Sequence, residues 1–212
     1  MKSEITVDKI VTGPFQENTF ILRSVESGSA LIFDPGDDEN QIINFIKSKE
    51  LKPLAILNTH AHLDHIGAVS ILQALFSVPF YLHKDEQMIL DQYEESCKLF
   101  ELPPKKKPKV DVWLSNDKKI TFKDFTIKII NTPGHTPGGV CYEVGKHIFV
   151  GDTLFKGSVG RTDLPGGNWD NLKNSLSHLV NTVNHEKIIH SGHGEDTKLK
   201  HELMSNPFLT SI

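Results

Sequence analysis

Cysteine is almost missing from this chain: Cys97 and Cys141 are the only two in 212 residues. Two thiols could form one pair, but so small a number does not make a disulfide framework, and the opening MKSEITVDKIVTG lacks the apolar stretch of an export signal. Both cysteines therefore read as reduced, buried, small apolar side chains, and the expected compartment is the cytoplasm. Long apolar runs are missing too, and none approaches the roughly 18 residues of a membrane-crossing helix. Positive charge is not in excess, with 23 Lys and Arg against 27 Asp and Glu and a net charge of −4, so a basic footprint for nucleic acid is lacking. What is present is ordinary: 38% hydrophobic and 24% charged residues, in a chain long enough to bury a substantial core. One domain spanning 1–212 is expected, in two halves of about 1–110 and 111–212.

Strand-like segments open the first half (EITVDKIV, NTFILRS, ALIFDPG), with Ser27-Gly28-Ser29 as a hairpin turn between the last two. ENQIINFIKSK carries Ile42, Ile43 and Ile46 on one helical face. LAILN suits a buried strand, IGAVSILQALF a packed helix, FYLH a strand and DEQMILDQYEESCKLF one amphipathic helix. LPPKKKPK, with three prolines and four lysines in residues 102–109, is a loop and reads as a solvated connector rather than a localisation signal. Strands resume in KKITF, FTIKIIN, GVCYEV and HIFVGD; a helix (NWDNLKNSLSHLVNTV), a strand (KIIHSGHG) and a terminal helix (DTKLKHELMS) complete the chain. Mixed sheets covered by helices, with chemistry on loops at one rim, are the expected α/β solution.

The stretch NTHAHLDH sets three histidines and an aspartate into six positions, out of 11 histidines in all. Imidazole and carboxylate suit borderline divalent metals such as zinc. In extended backbone, His60, His62 and Asp64 share a side, and a turn into helix at His65 would aim that ring at a neighbouring position. Asp64 alone would be read as a helix N-cap, but four crowded polar groups have no structural use for one another. Three later loops each follow a strand, contain glycine and project one metal-capable side chain: His135 in TPGHTPGG, Asp152 in FVGDTLF and His193 in HSGHGE. The other six histidines (83, 147, 178, 185, 190 and 201) read as surface or structural, with His190 distinguished by sharing the last loop.

THAHLDH followed by GHTPG, GDTLF and GHG resembles the metallo-β-lactamase superfamily of hydrolases, from DPG at 34–36 to GHG at 192–194. The resemblance implies a four-layer αβ/βα sandwich, two mixed sheets flanked by helices, with two metal ions at one edge. It implies that His60, His62 and His135 hold one ion, that Asp64, His65 and His193 hold the other, and that Asp152 bridges them. Asp34 would support the ligand loop from behind, or serve only as a turn residue before Pro35-Gly36. Zinc is the first expectation, and iron or manganese tolerates the same ligands.

Two such ions, roughly 3.5–4 Å apart, can share a water, lower its pKa and stabilise an oxyanion. An acyl compound is then the natural substrate, with Asp64 able to orient the hydroxide. A thiolate leaves without the positioned acid that an amine demands, its conjugate acid having a pKa of about 8.5. GDTLFKGSVGRTDLPGG, at 151–167, resembles the small bacterial relatives of hydroxyacylglutathione hydrolase (glyoxalase II). That branch implies Arg161 for a glutathione carboxylate, although a pair with Asp163 accounts for Arg161 equally well. Asp163 stands where longer relatives carry a tyrosine, and their helical C-terminal substrate domain has no counterpart before Ile212. The expectation is a hydrolase of small-molecule thioesters, S-lactoylglutathione first. Its rivals are a persulfide dioxygenase using one iron, a lactonase of the same fold and a non-catalytic metal-binding module. A β-lactamase fits less well, because the exported enzymes lack the aspartate that Asp152 supplies.

Overall fold

Side-chain alternation along the strands dictates the layers. In the third strand Leu31 and Phe33 pack one way while Ala30 and Ile32 pack the other, and neither set is exposed. A strand buried on both faces must lie between two layers. The same split recurs in the second strand, with Phe20 and Leu22 opposed to Ile21, and again where Tyr142 opposes Cys141. The computed structural model, which describes residues 4–210, is accordingly helix, sheet, sheet, helix.

The first sheet has the order β1 (Ile5–Thr12), β2 (Glu17–Ser24), β3 (Ser29–Phe33), β4 (Lys52–Leu57), β5 (Phe80–His83), β6 (Val112–Leu114). It is antiparallel from β1 to β3 and parallel from β3 to β6. Its outer face is covered by α1 (Glu39–Ser48), α2 (Leu63–Ile66), α3 (Val69–Phe76), α4 (Gln87–Asp91) and α5 (Tyr93–Leu99) through a cluster that includes Ile32, Ile42, Ile56, Leu72 and Leu90. The second sheet contains β7 (Lys119–Thr121), β8 (Thr126–Asn131), β9 (Val140–Val144) and β10 (His147–Gly151). A small hairpin, β11 (Leu154–Phe155) with β12 (Ser158–Val159), precedes α6 (Trp169–Thr182). Then β13 (Ile188–Ser191) and β14 (Thr197–Lys198) complete the order β14-β13-β10-β9-β8-β7, and α7 (Leu199–Ser205) follows. Leu172, Leu176 and Leu179 of α6 cover this sheet, with its Asn168 cap accepting from the Asn171 amide. No helix among the described residues is long and apolar enough to cross a membrane.

Between the sheets Phe33 and Phe149 stack at 4.0 Å, and Tyr142 packs beside Phe33. Burial leaves the Tyr142 hydroxyl in need of a partner, and it donates to the Asn58 carbonyl at 2.8 Å. The aromatic core thereby fixes the point at which β4 ends and the histidine-rich loop begins.

Two expected helices are broken. The helix expected over 66–76 is interrupted after Ile66, which ends α2, and resumes as α3 at Val69, because the DPG turn crosses it: the Ala68 amide donates to the Pro35 carbonyl, and a side chain at Gly67 would strike the Gly36 carbonyl. The amphipathic stretch after His83 begins as a 3₁₀ turn and divides at Gln92 into α4 and α5. β6 and the β11–β12 hairpin have no counterpart in the expected elements. The lysine-rich loop is irregular as expected, but Lys105 is not free in solvent, since it pairs with Asp37 and Glu39. Cys97 and Cys141 are free and buried.

His147 and His190 are buried, structural histidines at the edge of the inter-sheet core. His190 stacks on Phe149 and approaches Phe20, its Nδ1 lies 2.9 Å from Asp196, and its Nε2 lies 2.9 Å from His147 Nδ1. Burial, with His190, Lys146 and Lys187 nearby, pushes His147 down to about 4 against the opposing pull of Asp196. In the unfolded chain a histidine titrates near 6.5, so between these values the unfolded state binds the extra proton. This contribution to stability is complete above that upper value and is lost as pH falls toward the lower one. Thermal unfolding of His147→Gln should therefore lose less stability than the parent on acidification across this window; parallel profiles would refute the assignment.

Candidate metal centre

All the loops in question leave the same rim of the two sheets. After β4, the Thr59 amide and hydroxyl both donate to Asp34, each at 2.7 Å, and the Asn58 side chain donates to the His65 carbonyl at 2.7 Å. These bonds determine the direction in which the rings face. The Thr59 hydroxyl gives its proton to Asp34, so it accepts from His60 Nδ1 at 3.0 Å and leaves the His60 Nε2 lone pair pointing into the cluster. His135 is oriented in the same way: its Nδ1 donates to the Arg161 carbonyl at 2.7 Å, so its Nε2 is the free acceptor. Gly134 permits this loop, at φ +141, because a side chain there would collide with Leu172 of α6.

The seven residues expected from the sequence come together. His60, His62 and His135 form one group whose ligand atoms lie within 4.8 Å of one another, and Asp64, His65 and His193 form another. His62 Nδ1 and His135 Nε2 are 2.9 Å apart, and His193 Nε2 is 3.2 Å from Asp64 Oδ2. Asp152 lies between the groups. Its Oδ1 is 3.4 Å from His65 Nε2, while its Oδ2 is 3.6 Å from both His135 and His193. Gly192 is required beside it, since a side chain there would strike Asp152 Oδ1 and the His65 ring.

The donor set fits divalent cations. His60 Nε2, His65 Nε2 and Asp152 Oδ1 are buried without any hydrogen-bond partner, which polar atoms in protein interiors rarely tolerate. Burial and the neighbouring rings hold His60 well below the usual imidazole range, and burial together with His135 pushes His62 down to about 3. Neutral imidazole is the form that binds metal. His65 shifts the other way: burial disfavours its charge, but Asp152 and Asp64 outweigh burial and raise it well above normal. Asp152 stays ionised despite burial because His65 and its neighbours favour the carboxylate.

Asp34 is more than a turn residue. It holds Thr59 by two hydrogen bonds, and its Oδ2 is 3.3 Å from His65 Nδ1. Arg161 is exposed, and its guanidinium makes a bidentate pair with Asp163 at 2.6 and 2.7 Å. Two buried carboxylates escaped the sequence reading. Glu17 accepts from Thr12 and Thr19 and lies 3.9 Å from His65 Nδ1. Glu86 accepts from the Ala61 amide at 2.8 Å and the Gly138 amide at 2.7 Å. Ala61 separates His60 from His62, and Gly138 follows His135, so one carboxylate clamps both loops of the first group. Only the HxxE spacing from His83 marks Glu86 in the sequence.

A family model described as the metallo-beta-lactamase superfamily matches residues 12–193. The chain belongs to this superfamily. It is 38% identical over 208 residues to a probable metallo-hydrolase, YqgX, of Bacillus subtilis (96% of this chain, 97% of that protein). It is 34% identical over 211 residues to the hydroxyacylglutathione hydrolase GloC of Haemophilus influenzae (98% and 99%). Among solved structures, the BLEG-1 B3 metallo-beta-lactamase superposes with a TM-score of 0.91 at 41% identity, covering 97% of this chain and 100% of that one. TTHA1623 in a di-iron-bound form gives 0.86 at 35%, covering 95% and 100%. The superfamily uses a dimetal site and the His/Asp cluster here could bind metal, so two expectations hold at this level: the four-layer fold and a cluster able to hold metal.

Glu86→Gln keeps one acceptor but sets an amide NH2 against the second backbone N–H. Titration with zinc against a chelator should show one of two equivalents weakened at least about tenfold, the other retained; two equivalents of parental affinity would refute the clamp.

Proposed function

We propose that this chain is a metal-dependent hydrolase of acyl thioesters, with S-2-hydroxyacylglutathiones as substrates and S-lactoylglutathione foremost. The observation that carries the reading is Asp152, one carboxylate with an oxygen facing each ligand group. His60, His62 and His135 would hold one ion and Asp64, His65 and His193 the other, zinc first, with iron supported by the di-iron relative. Bound there, the ions would supply a nucleophile derived from water and polarise the substrate carbonyl.

The protein's own groups do the rest. His60 and His65 are buried, whereas His62, Asp64, Asp152 and His193 are half-buried and line an open cleft of about 590 Å³, so substrate reaches one face only. Asp64 borders that cleft and can orient the attacking oxygen. Thioester chemistry is favoured by the shortage of acids: apart from the ligand set, Glu95 is the only carboxylate lining the cleft among the described residues, and it is exposed. Tyr93, pushed up by burial, is a poor proton donor. A thiolate departs without such a donor and an amine does not. GloC, nearly coextensive with this chain, supports the glutathione thioester. Arg161 would meet a substrate carboxylate at the rim, in competition with Asp163.

Hydrolysis of a β-lactam is the second reading, favoured by the 41% identity to BLEG-1. Assays of zinc-loaded protein with S-lactoylglutathione and a β-lactam, and of iron-loaded protein with glutathione persulfide under monitored oxygen uptake, discriminate among the activities. Thioester cleavage should dominate; lactam cleavage or oxygen consumption without it would reverse the order. Asp152→Ala should lower metal content and turnover together, turnover by at least about a hundredfold. Full turnover at parental metal content would remove Asp152 from its bridging role.

A further inference from the structure

The cleft has unequal walls. On one side Arg161 stands at the rim close to His135, whose ring its own carbonyl orients. The lining also holds Phe15, Leu99 and Phe100, the last two at the end of α5, and Phe15 lies two residues from Glu17, which bridges to His193 of the other ligand group. Phe15 and Phe100 meet edge to face at 5.3 Å. Leu99 is 77% exposed and Phe100 43%, so two consecutive large apolar side chains face water at the mouth of a site. Phe155, Val159 and Leu164 add to the apolar lining. The charged groups of the lining other than histidines and the ligand aspartates are Arg161 and Glu95, and the pair of Arg161 with Asp163 is exposed, so a substrate carboxylate can compete for the guanidinium.

A thioester whose carbonyl lies over the metal centre sends its thiol and its acyl group in opposite directions. A polar thiol carrying carboxylates belongs on the side with the cation. We propose that the wall of Phe15, Leu99 and Phe100 is an acyl subsite, and that the enzyme prefers thioesters with extended apolar acyl groups over the two-carbon side of a lactoyl group. This deepens the thioester reading and rests on it. Apolar surface removed from water is worth about 25 cal/mol per Å², or about fourfold in affinity for each fully buried methylene and roughly twofold for one half-covered in an open groove. Three additional methylenes therefore predict a preference of about tenfold.

The test compares S-lactoylglutathione with S-(2-hydroxyhexanoyl)glutathione, which share thiol and 2-hydroxyl, on zinc-loaded protein. The longer substrate should have about tenfold higher kcat/KM, expressed mainly in KM. In a Leu99→Ser, Phe100→Ser double variant, exposed positions whose replacement does not open the core, the ratio should fall below about twofold. Calorimetric binding of the product acids, 2-hydroxyhexanoate against lactate, reads the same subsite without turnover. Equal kcat/KM values and equal product binding would overturn the subsite while leaving thioester hydrolysis intact. No turnover of either thioester, with 2-hydroxyhexanoate still bound more tightly and the difference lost in the double variant, would sink the thioester reading and leave the apolar subsite standing.

Discussion

Everything at the rim of this molecule follows from nitrogen and oxygen atoms buried with nothing in the protein to bond. An interior amide or hydroxyl left unpaired costs stability, and an unpaired interior charge costs more. Here His60, His65 and Asp152 each present such an atom to the same small volume. The surrounding hydrogen bonds do not relieve them. Instead, Thr59 and the Arg161 carbonyl occupy the far nitrogens of His60 and His135 and so oblige the near ones to face inward unprotonated. A cation reverses the cost, and binding energy recovered at the centre becomes folding energy for the loops that meet there.

That constraint explains why the supports reach across the fold rather than along the chain. Asn18, at the start of β2, donates to the carbonyls of Ser191 and Gly194 on either side of His193. Glu86, beyond β5, holds the loops of His60, His62 and His135 together. Tyr142 anchors Asn58 from the inter-sheet core. The bonds of Asn18, Tyr142 and the Glu86–Gly138 pair join the half built on the first sheet to the half built on the second, so the two sheets cannot shift against each other without disturbing the cluster. The sandwich is the rigid frame that such a site needs.

Legibility in the sequence divides along the same line. The seven cluster residues could be found because each carries a local signature: alternating histidines before a helix, or one metal-capable residue between glycines after a strand. The layers could be found because alternation with a period of two survives in strands buried on both faces. Glu17 and Glu86 could not be found. A carboxylate that accepts from backbone amides or hydroxyls brought close only by folding leaves little pattern among its neighbours, and apart from the HxxE spacing at Glu86 both look like ordinary strand-edge or helix-start acids. The break between α2 and α3 was hidden for the same reason, since its cause is a turn about 30 residues earlier crossing Gly67. Arg161 stayed open between two partners in the sequence, and the structure pairs it with Asp163.

Arg161 joins the cluster to the cleft by two separate parts. Its carbonyl fixes the tautomer of His135, while its guanidinium stands at the mouth of the cleft. Changing the side chain leaves that carbonyl in place, so the rim can be altered without redesigning the ligand it supports. Leu99 and Phe100 are freer still, because they end a short helix and are exposed. A fold arranged in this way can hold its metal geometry constant while the groups that meet the substrate change. Relatives named as a glutathione-thioester hydrolase and as a β-lactamase are what such a division would produce.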